Sequence, residues 1–383
     1  MVKTKAALVA AQNPAWLNSL PKQARRTLPA LTSSSNTPHS LHPLRTKSAT
    51  RRQSTHSPLP LLAQPANFLK LFTMSQPAPP LPDTLCYLNG DFTPLKDAKI
   101  SVLDRGFIFG DGVYEVVPAY AGHLFGFDQH MARLDRSLAE LRIVNPLSHA
   151  EWQKVAIQLI AAHARKIRAE ATNYAKNEPN LDQIIYIQVS RGVALRDHVM
   201  PPDLQPTVFV MVNAMKLPSA QQRAQGVACV TADDFRWEKA HIKSTSLLGA
   251  VFSRQISADA GALETIMFRG DYLSEAAASN VWVIKDRKVL GPPKDKLVLE
   301  GIRYGLIEQL CCSEGIGFEL RRITRAEVLA ADELLLSSAT KEVLPVTLLD
   351  GQKVGNGLPG PIYTRLYAAY QAAKRHAVQE QVA

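Results

Sequence analysis

The sequence has few cysteines and no long apolar run. Its four Cys, at positions 86, 229, 311 and 312, show no C-x-x-C spacing and no His at metal-ligand spacing. This scarcity argues against a metal site or a disulfide framework, and it favours reduced, buried thiols in a cytoplasmic protein. No apolar stretch reaches the roughly 18 residues that a membrane-spanning helix requires, so we expect no membrane partner.

Acidic residues are missing from positions 1–73, and this explains the net charge of +10. That stretch holds ten Lys and Arg; removing them from the 44 in the chain leaves 34, equal to the 34 Asp and Glu. The remainder has no basic bias, so we expect no nucleic-acid partner. Residues 1–73 have the Ser-, Thr- and Pro-rich composition of a disordered extension. We favour a misassigned start, with translation from Met74, over a targeting segment.

The remaining sequence alternates strands and helices in both halves, which predicts an α/β (α+β) protein of two domains. We expect an N-terminal domain over 74–213 and a C-terminal domain over 214–383. Asn89-Gly90 predicts a β-hairpin, and Ser148 with Glu151 forms a capping box that predicts a helix start. The other predicted elements are strands at 114–120, 184–190, 207–212, 226–231 and 333–338, hairpins that turn at 270–271 and 286–287, and helices from Asp128, near 247–257, from Gly301 and near 361–375.

Three side chains are candidates for cofactor chemistry. Lys243 precedes an apolar helix, and a desolvated lysine can form a Schiff base with an aldehyde cofactor. Glu275 ends a predicted strand before small residues, where a carboxylate can face a cationic ring nitrogen. Arg133 lies beside the apolar face of a helix and can pair with a phosphate. Each residue alone is as well explained by a solvated position or a salt bridge.

Two further segments suit anions. Leu299 to Ile302 (LEGI) begins a predicted helix, whose free backbone N–H groups can bind an anion. Arg196 and His198 lie in a predicted loop, where a pair of cations separated by one residue suits a carboxylate. The sequence FGDGVYE at 109–115 has neither the dinucleotide-binding nor the P-loop spacing of glycines.

The order of these segments resembles the class IV, fold-type IV aminotransferases that use pyridoxal 5′-phosphate (PLP). Within that family the chain looks most similar to the D-amino acid aminotransferases. The resemblance extends from about residue 84 to residue 373, and its matching stretches are DRGFIFGDGVYEVV (104–117), HMARL (130–134), QVSRGVALRDH (188–198), RWEKAHIKSTSLLGAV (236–251), SEAAASNVWVIKD (274–286), LEGI (299–302) and DELLLSSATKEVLPV (332–346).

The resemblance implies PLP as cofactor and a fold with a smaller N-terminal α/β domain and a pseudobarrel-like C-terminal α/β domain. Lys243 would form the Schiff base and move the proton, and Glu275 would face the pyridine nitrogen. Arg133 and the backbone N–H groups of Ile302 and Arg303 would bind the phosphate. Leu299 would pack behind the ring, and Ala339 lies at a position that contacts the cofactor.

The resemblance also implies that Tyr114, Arg196 and His198 bind the substrate carboxylate. In the D-amino acid enzymes the Arg-x-His pair comes from the other subunit, so the implied state is a homodimer. The implied reaction converts D-alanine and 2-oxoglutarate to pyruvate and D-glutamate.

The chain departs from the family pattern near the cofactor. Small Ala277 and Ala278 replace serines, and Arg303 and Ala339 replace phosphate-binding threonines. The polar stretch near 170–182 also looks longer than usual.

Several alternatives remain open. Branched-chain L-amino acid aminotransferases, aminodeoxychorismate lyases and (R)-selective amine transaminases belong to the same family, and the pair of Arg196 and His198 argues against the first. From other classes, a basic binding module would depend on residues 1–73, and a pseudoenzyme would show no Schiff-base absorbance.

Overall fold

The structure is a computed structural model of the chain, and it describes residues 81–171 and 181–380. These residues fall within one compact unit, Pro77–Ala383. The predictions made for residues 1–73, and those for most of the polar stretch near 170–182, lie outside the described residues. The helix before that stretch continues to Ala171.

An antiparallel sheet occupies the first half of the described chain. Its strands are β1 (Leu85–Leu88), β2 (Asp91–Pro94), β3 (Gly112–Tyr120), β4 (His123–Leu124), β5 (Gln183–Ser190) and β6 (Thr207–Ala214). They pair in the order β2-β1-β6-β5-β3-β4. The hairpin predicted at Asn89-Gly90 is confirmed, since β1 pairs with β2 and both turn residues have the positive φ that this turn requires.

Three helices belong to this half: α1 (Arg105–Phe109), α2 (Phe127–Glu140) and α3 (His149–Ala171). The capping box predicted at the start of α3 is confirmed, because the Ser148 N–H donates to the Glu151 carboxylate at 2.7 Å. The apolar face predicted for α2 is buried on the sheet through Met131, Leu134 and Leu138. This packing fixes the orientation of α2 and therefore the directions in which its other side chains point.

A nine-stranded mixed sheet occupies the second half. Its strands are β7 (Val227–Asp233), β8 (Glu264–Arg269), β9 (Tyr272–Ala276), β10 (Asn280–Lys285), β11 (Lys288–Gly291), β12 (Gly317–Leu320), β13 (Glu333–Ser338), β14 (Glu342–Leu349) and β15 (Gln352–Lys353). Eight pair in the order β12-β11-β10-β13-β14-β7-β8-β9, and β15 pairs with β14. The three residues 277–279 join β9, at one end of this order, directly to β10, so the sheet curls into a half-barrel. The mixed α/β fold and the barrel-like second sheet expected from the sequence are confirmed.

Five helices accompany the second sheet: α4 (Ala220–Gln225), α5 (Leu248–Asp259), α6 (Arg303–Ser313), α7 (Arg325–Leu329) and α8 (Pro361–Glu380). The apolar residues of α5 do not face the core. Leu248, Val251 and Phe252 are each more than half exposed, while Ser253 and Ser257 are fully buried. The reason is close approach to β8, where the Thr265 hydroxyl donates to the Ser253 carbonyl at 2.6 Å.

The chain passes from the first sheet to the second between Ala214 and Val227, and α4 forms part of this connection. A domain boundary near residue 213 remains a prediction. Within the described ranges, no helix is long and apolar enough to cross a membrane.

Candidate active site

A cavity of about 990 Å³ gathers most of the residues singled out in the sequence. Its lining includes Tyr114, Arg133, Lys243, Glu275, Leu299, Ile302, Arg303 and Ala339. These residues come from β3, from α2, from the segment that follows β7, from β9, from the start of α6 and the loop before it, and from the loop after β13. The fold therefore brings eight of the ten candidates to one place.

Lys243 lies in the irregular segment between β7 and α5, and its backbone is fixed to β3. Its carbonyl accepts a 2.9 Å hydrogen bond from the Tyr114 N–H, and its own N–H donates to the Ser137 hydroxyl at 3.3 Å. The Lys243 Nζ lies 4.2 Å from the centroid of the Tyr114 ring. The amine is therefore held in the cavity against an aromatic face.

Glu275 is a buried carboxylate with a fixed set of donors. It is 4% exposed, and its Oε1 accepts from Arg236 Nη1 at 2.8 Å and from the Leu299 N–H at 3.2 Å. Its Oε2 accepts a longer, 3.3 Å bond from Asn280 Nδ2. Burial raises the pKa of Glu275 above its ordinary value, and the Arg236 guanidinium opposes that shift.

Arg236 connects Glu275 to a second carboxylate. Its Nε and Nη2 donate to the two oxygens of Asp234 at 2.9 and 2.8 Å. Arg269 Nε also donates to Asp234, at 3.1 Å. Sequence reasoning missed this network, although the charges clustered at 233–239 (DDFRWEK) between two apolar elements offered a signal.

Arg133 is fully engaged with a second residue that sequence reasoning missed, Glu115. Arg133 Nε and Nη2 donate to the two Glu115 oxygens at 2.7 and 2.8 Å, and Nη1 donates to the Glu300 carbonyl at 3.1 Å. Glu115 is 0% exposed. Burial alone would raise the pKa of Glu115, but Arg133 and His130 lower it well below its ordinary value. Successive side chains of a strand point to opposite faces, and this alternation places Glu115 on a buried face of β3. It was the sequence signal from which a buried Glu115 could have been predicted.

His130 completes this buried group. Its Nδ1 lies 2.8 Å from Glu115 Oε2, and its Nε2 has no hydrogen-bond partner in the described part of the chain. Burial lowers the pKa of His130 to about 4, so the ring is neutral at pH 7.

The start of α6 offers unpaired donors to the cavity. The backbone N–H groups of Ile302 and Arg303 have no acceptor within residues 81–171 and 181–380, as expected for a helix N-terminus. Just before them, Gly301 lies so close to Asn280 that an added Cβ would come within 2.0 Å of its Oδ1. Only glycine permits this approach of the loop to the cavity.

Arg196 and His198 do not line the cavity of their own chain. Both are exposed and lie beside α1, where the Arg196 guanidinium is 5.5 Å and the His198 ring 5.4 Å from the centre of the Phe109 ring. Arg105 Nη1 ties the loop to α1 by donating to the Asp197 carbonyl at 2.6 Å. Within a single chain, these two candidates are separated from Lys243.

Four small or hydroxylic residues line one part of the wall: Ala277, Ala278, Ser338 and Thr340. They leave room for a flat ring. Together with a fixed amine, a buried carboxylate and free N–H donors, they form a site that fits an aromatic aldehyde bearing a phosphate.

Comparison with known proteins agrees with this chemistry. Residues 112–349 match the amino-transferase class IV family. The chain is 37% identical over 283 residues to a D-alanine aminotransferase of Bacillus licheniformis, a match that covers 74% of this chain and 94% of that protein. It is 33% identical over 289 residues to a D-alanine aminotransferase of Staphylococcus epidermidis, covering 75% and 97%.

Solved structures of branched-chain amino acid aminotransferases share the fold. The Escherichia coli enzyme superposes with a TM-score of 0.65 at 23% identity, over 76% of this chain and 94% of that one. The enzyme from Thermoproteus uzoniensis superposes with a TM-score of 0.63 at 22% identity, over 75% and 93%. A third such enzyme, solved with pyridoxamine 5′-phosphate, superposes with a TM-score of 0.67 at 22% identity, over 76% and 94%. At these identities the likeness concerns the fold alone.

Proposed function

Because the chain belongs to the class IV aminotransferase family, we propose that it transfers amino groups between D-amino acids and 2-oxo acids, with PLP bound at Lys243. The observation that carries this proposal is the Lys243 amine, fixed 4.2 Å from the Tyr114 ring in the cavity that Glu275 also lines. The relatives at 33–37% identity are D-alanine aminotransferases matched over nearly their whole length, which supports D-alanine as the amino donor. The proposed acceptor is 2-oxoglutarate.

The residues present fit PLP. The free N–H groups of Ile302 and Arg303 suit the phosphate, and Arg133 lies beside them through its bond to the Glu300 carbonyl. Glu275 suits the pyridine nitrogen, Leu299 and the small residues suit the ring faces, and Ala339 lines the wall near the phosphate end. When bound, PLP supplies the electron sink that makes the substrate Cα–H acidic.

The chain's own residues divide the remaining work. Lys243 Nζ, half-buried in the cavity, would hold the cofactor covalently and, once the substrate amine has displaced it, would move the proton at the substrate Cα. Glu275, kept in place by Arg236 and the Leu299 N–H, would keep a proton on the ring nitrogen. Tyr114 also lines the cavity, where its hydroxyl would face the substrate.

We also propose a homodimer in which Arg196 and His198 of one copy bind the substrate carboxylate in the other. They do not line the cavity of their own chain, which supports this arrangement, because a second copy can bring them to a substrate in that cavity. Exposed apolar residues of α1 and α5 supply a contact surface, among them Phe107, Leu248, Val251 and Phe252. All four cysteines are free; Cys86, Cys229 and Cys311 are buried as expected, whereas Cys312 is exposed. Free thiols support a cytoplasmic location.

The test is a spectral half-reaction. Purified protein loaded with PLP is mixed separately with D-alanine and with L-leucine while the visible spectrum is recorded. We expect D-alanine alone to bleach the band of the Lys243 Schiff base. Bleaching by L-leucine alone would move the function to branched-chain transamination, and the absence of any band would indicate a protein without this activity.

A further inference from the structure

Among the described residues, Arg303 is a buried cation without an anionic partner. The residue is 2% exposed and lines the cavity, yet its Nε and Nη2 have no hydrogen-bond partner in that part of the chain. Its guanidinium carbon lies 5.2 Å from the centre of the Phe125 ring and 5.7 Å from that of Tyr370. A buried charge is costly unless an opposite charge compensates it.

The buried carboxylates of this region are already paired. Glu115 is paired with Arg133 through two hydrogen bonds. Glu342 is paired with Arg223 at 2.7 Å and with Lys374 at 3.1 Å. Neither carboxylate is within ion-pair distance of Arg303.

The pairing of Arg133 with Glu115 also sets the net charge of the cavity near the start of α6. Arg133 and Glu115 together carry no net charge, and His130 beside them is neutral at pH 7. Lys243 and Arg254 also line the cavity without an ion pair in the described ranges, but Lys243 is only half-buried and Arg254 is exposed. Arg303 differs from both because it is buried and lies at the start of α6, beside the free N–H groups.

We propose that the Arg303 side chain is the charge partner of the cofactor phosphate, and that Arg133 serves that phosphate as part of a neutral, positioned pair. The proposal rests on the proposed function, because it takes PLP as the anion. It assigns to the side chain of Arg303 a role beyond that of its backbone N–H. Arg303 is thereby a cofactor-binding residue that discriminates phosphorylated from unphosphorylated pyridoxal.

The test compares PLP with pyridoxal, which lacks the phosphate but also condenses with Lys243. The full chain is stripped of cofactor and titrated with each, following the Schiff-base absorbance. We expect Arg303→Met to weaken PLP binding about 10- to 100-fold, the range for a charge-assisted hydrogen bond. Pyridoxal binding should change less than about threefold. Inorganic phosphate should compete with PLP in the wild type and less well in the variant.

A control is Arg223→Met, which removes a partly buried arginine that stacks on a tyrosine, Tyr367, but does not line the cavity. It should affect both ligands alike. Equal weakening of PLP and pyridoxal by Arg303→Met would assign Arg303 a structural role only and overturn the proposal, as would unchanged PLP binding.

If Arg303→Met does not fold, Arg303→Lys and Arg303→Gln make the same comparison. Lysine keeps the charge and should retain more of the preference for PLP than glutamine does; equal preferences would refute the proposal. If the wild type shows no Schiff-base band with either ligand, the proposed function itself fails. A wild type that binds both ligands, with no effect of Arg303 on their ratio, removes this inference alone.

Discussion

Lys243 and Tyr114 are joined twice, once through the backbone and once through their side chains. The Tyr114 N–H donates to the Lys243 carbonyl at 2.9 Å, while the Lys243 amine faces the Tyr114 ring. The residue from the segment beyond β7 is thus positioned by a strand of the other sheet. The amine keeps its place in the cavity because two separate contacts hold it there.

Replacing Lys243 should abolish both the cofactor band and turnover. We expect Lys243→Ala to lose visible absorbance and at least about 1000-fold in kcat, because its amine serves as covalent link and as base. Absorbance and stopped-flow rates provide the measurement. The control is Lys239→Ala, an exposed lysine of the same segment, which should behave like the wild type. A Lys243→Ala protein that retains the band would place the Schiff base elsewhere.

Removing Arg236 should shift the pH dependence of catalysis. Burial raises the pKa of Glu275 and Arg236 opposes the rise, so Arg236→Met should raise that pKa further. Glu275 then becomes ionised only at higher pH. The acidic limb of the kcat–pH profile should move to higher pH, with activity partly recovered in alkaline buffer.

Arg269→Met is the control for Arg236→Met. Arg269 donates to Asp234 but not to Glu275, so its profile should stay close to that of the wild type. The same shift in both variants would mean that the network acts through folding and not through Glu275.

His130 should make stability depend on pH. Its pKa of about 4 in the folded protein lies below the ordinary 6.5, so the unfolded protein binds a proton more readily between these pH values. The stability that the neutral ring contributes is therefore complete above pH 6.5 and is lost as the pH falls toward 4. Between pH 7.5 and pH 5 the loss should reach about 1–2 kcal/mol. Denaturant unfolding at the two pH values should show a smaller loss for His130→Asn. The control is His149→Asn at an exposed histidine, which should lose as much stability as the wild type. If His130→Asn also loses as much as the wild type, His130 is not the source of the pH dependence.

Shared sites predict recovery of activity in mixed dimers. Arg196→Ala should raise KM for D-alanine strongly, and Lys243→Ala is inactive. After the two variants are unfolded and refolded together, hybrid dimers contain one site with both Lys243 and Arg196. About a quarter of the wild-type activity should return if subunits mix at random. No recovery, with hybrid dimers present, would place both residues in one chain's site.

Local signals were the part of the fold that the sequence predicted well. Asn89-Gly90 and the Ser148 capping box depend on neighbours within four residues, so their structure follows from the residues themselves. The order of motifs led to the family resemblance, which implied that Lys243 and Glu275 share a site, and both line one cavity.

Pairings between distant residues were not predictable in this way. Glu115 meets Arg133 because β3 and α2 pack together, and Arg236 reaches Glu275 across 39 positions. The sequence predicted an apolar helix near 247–257, but the apolar residues of α5 are exposed because Ser253 and Ser257 fit the close contact with β8. Periodicity identifies a face; it does not identify what covers that face.

The short connection from β9 to β10 has a consequence for how the enzyme adapts to substrates. Ala277 and its neighbours form part of the cavity wall, and the Ala277 N–H donates to the Thr265 carbonyl of β8 at 3.0 Å. Moving this wall would break the contact between β8 and the β9–β10 connection, which closes the half-barrel. We therefore expect acceptance of larger amino acids to evolve elsewhere, on the exposed apolar side of α5 or in the 191–206 loop of the proposed partner copy, which can change without disturbing that closure.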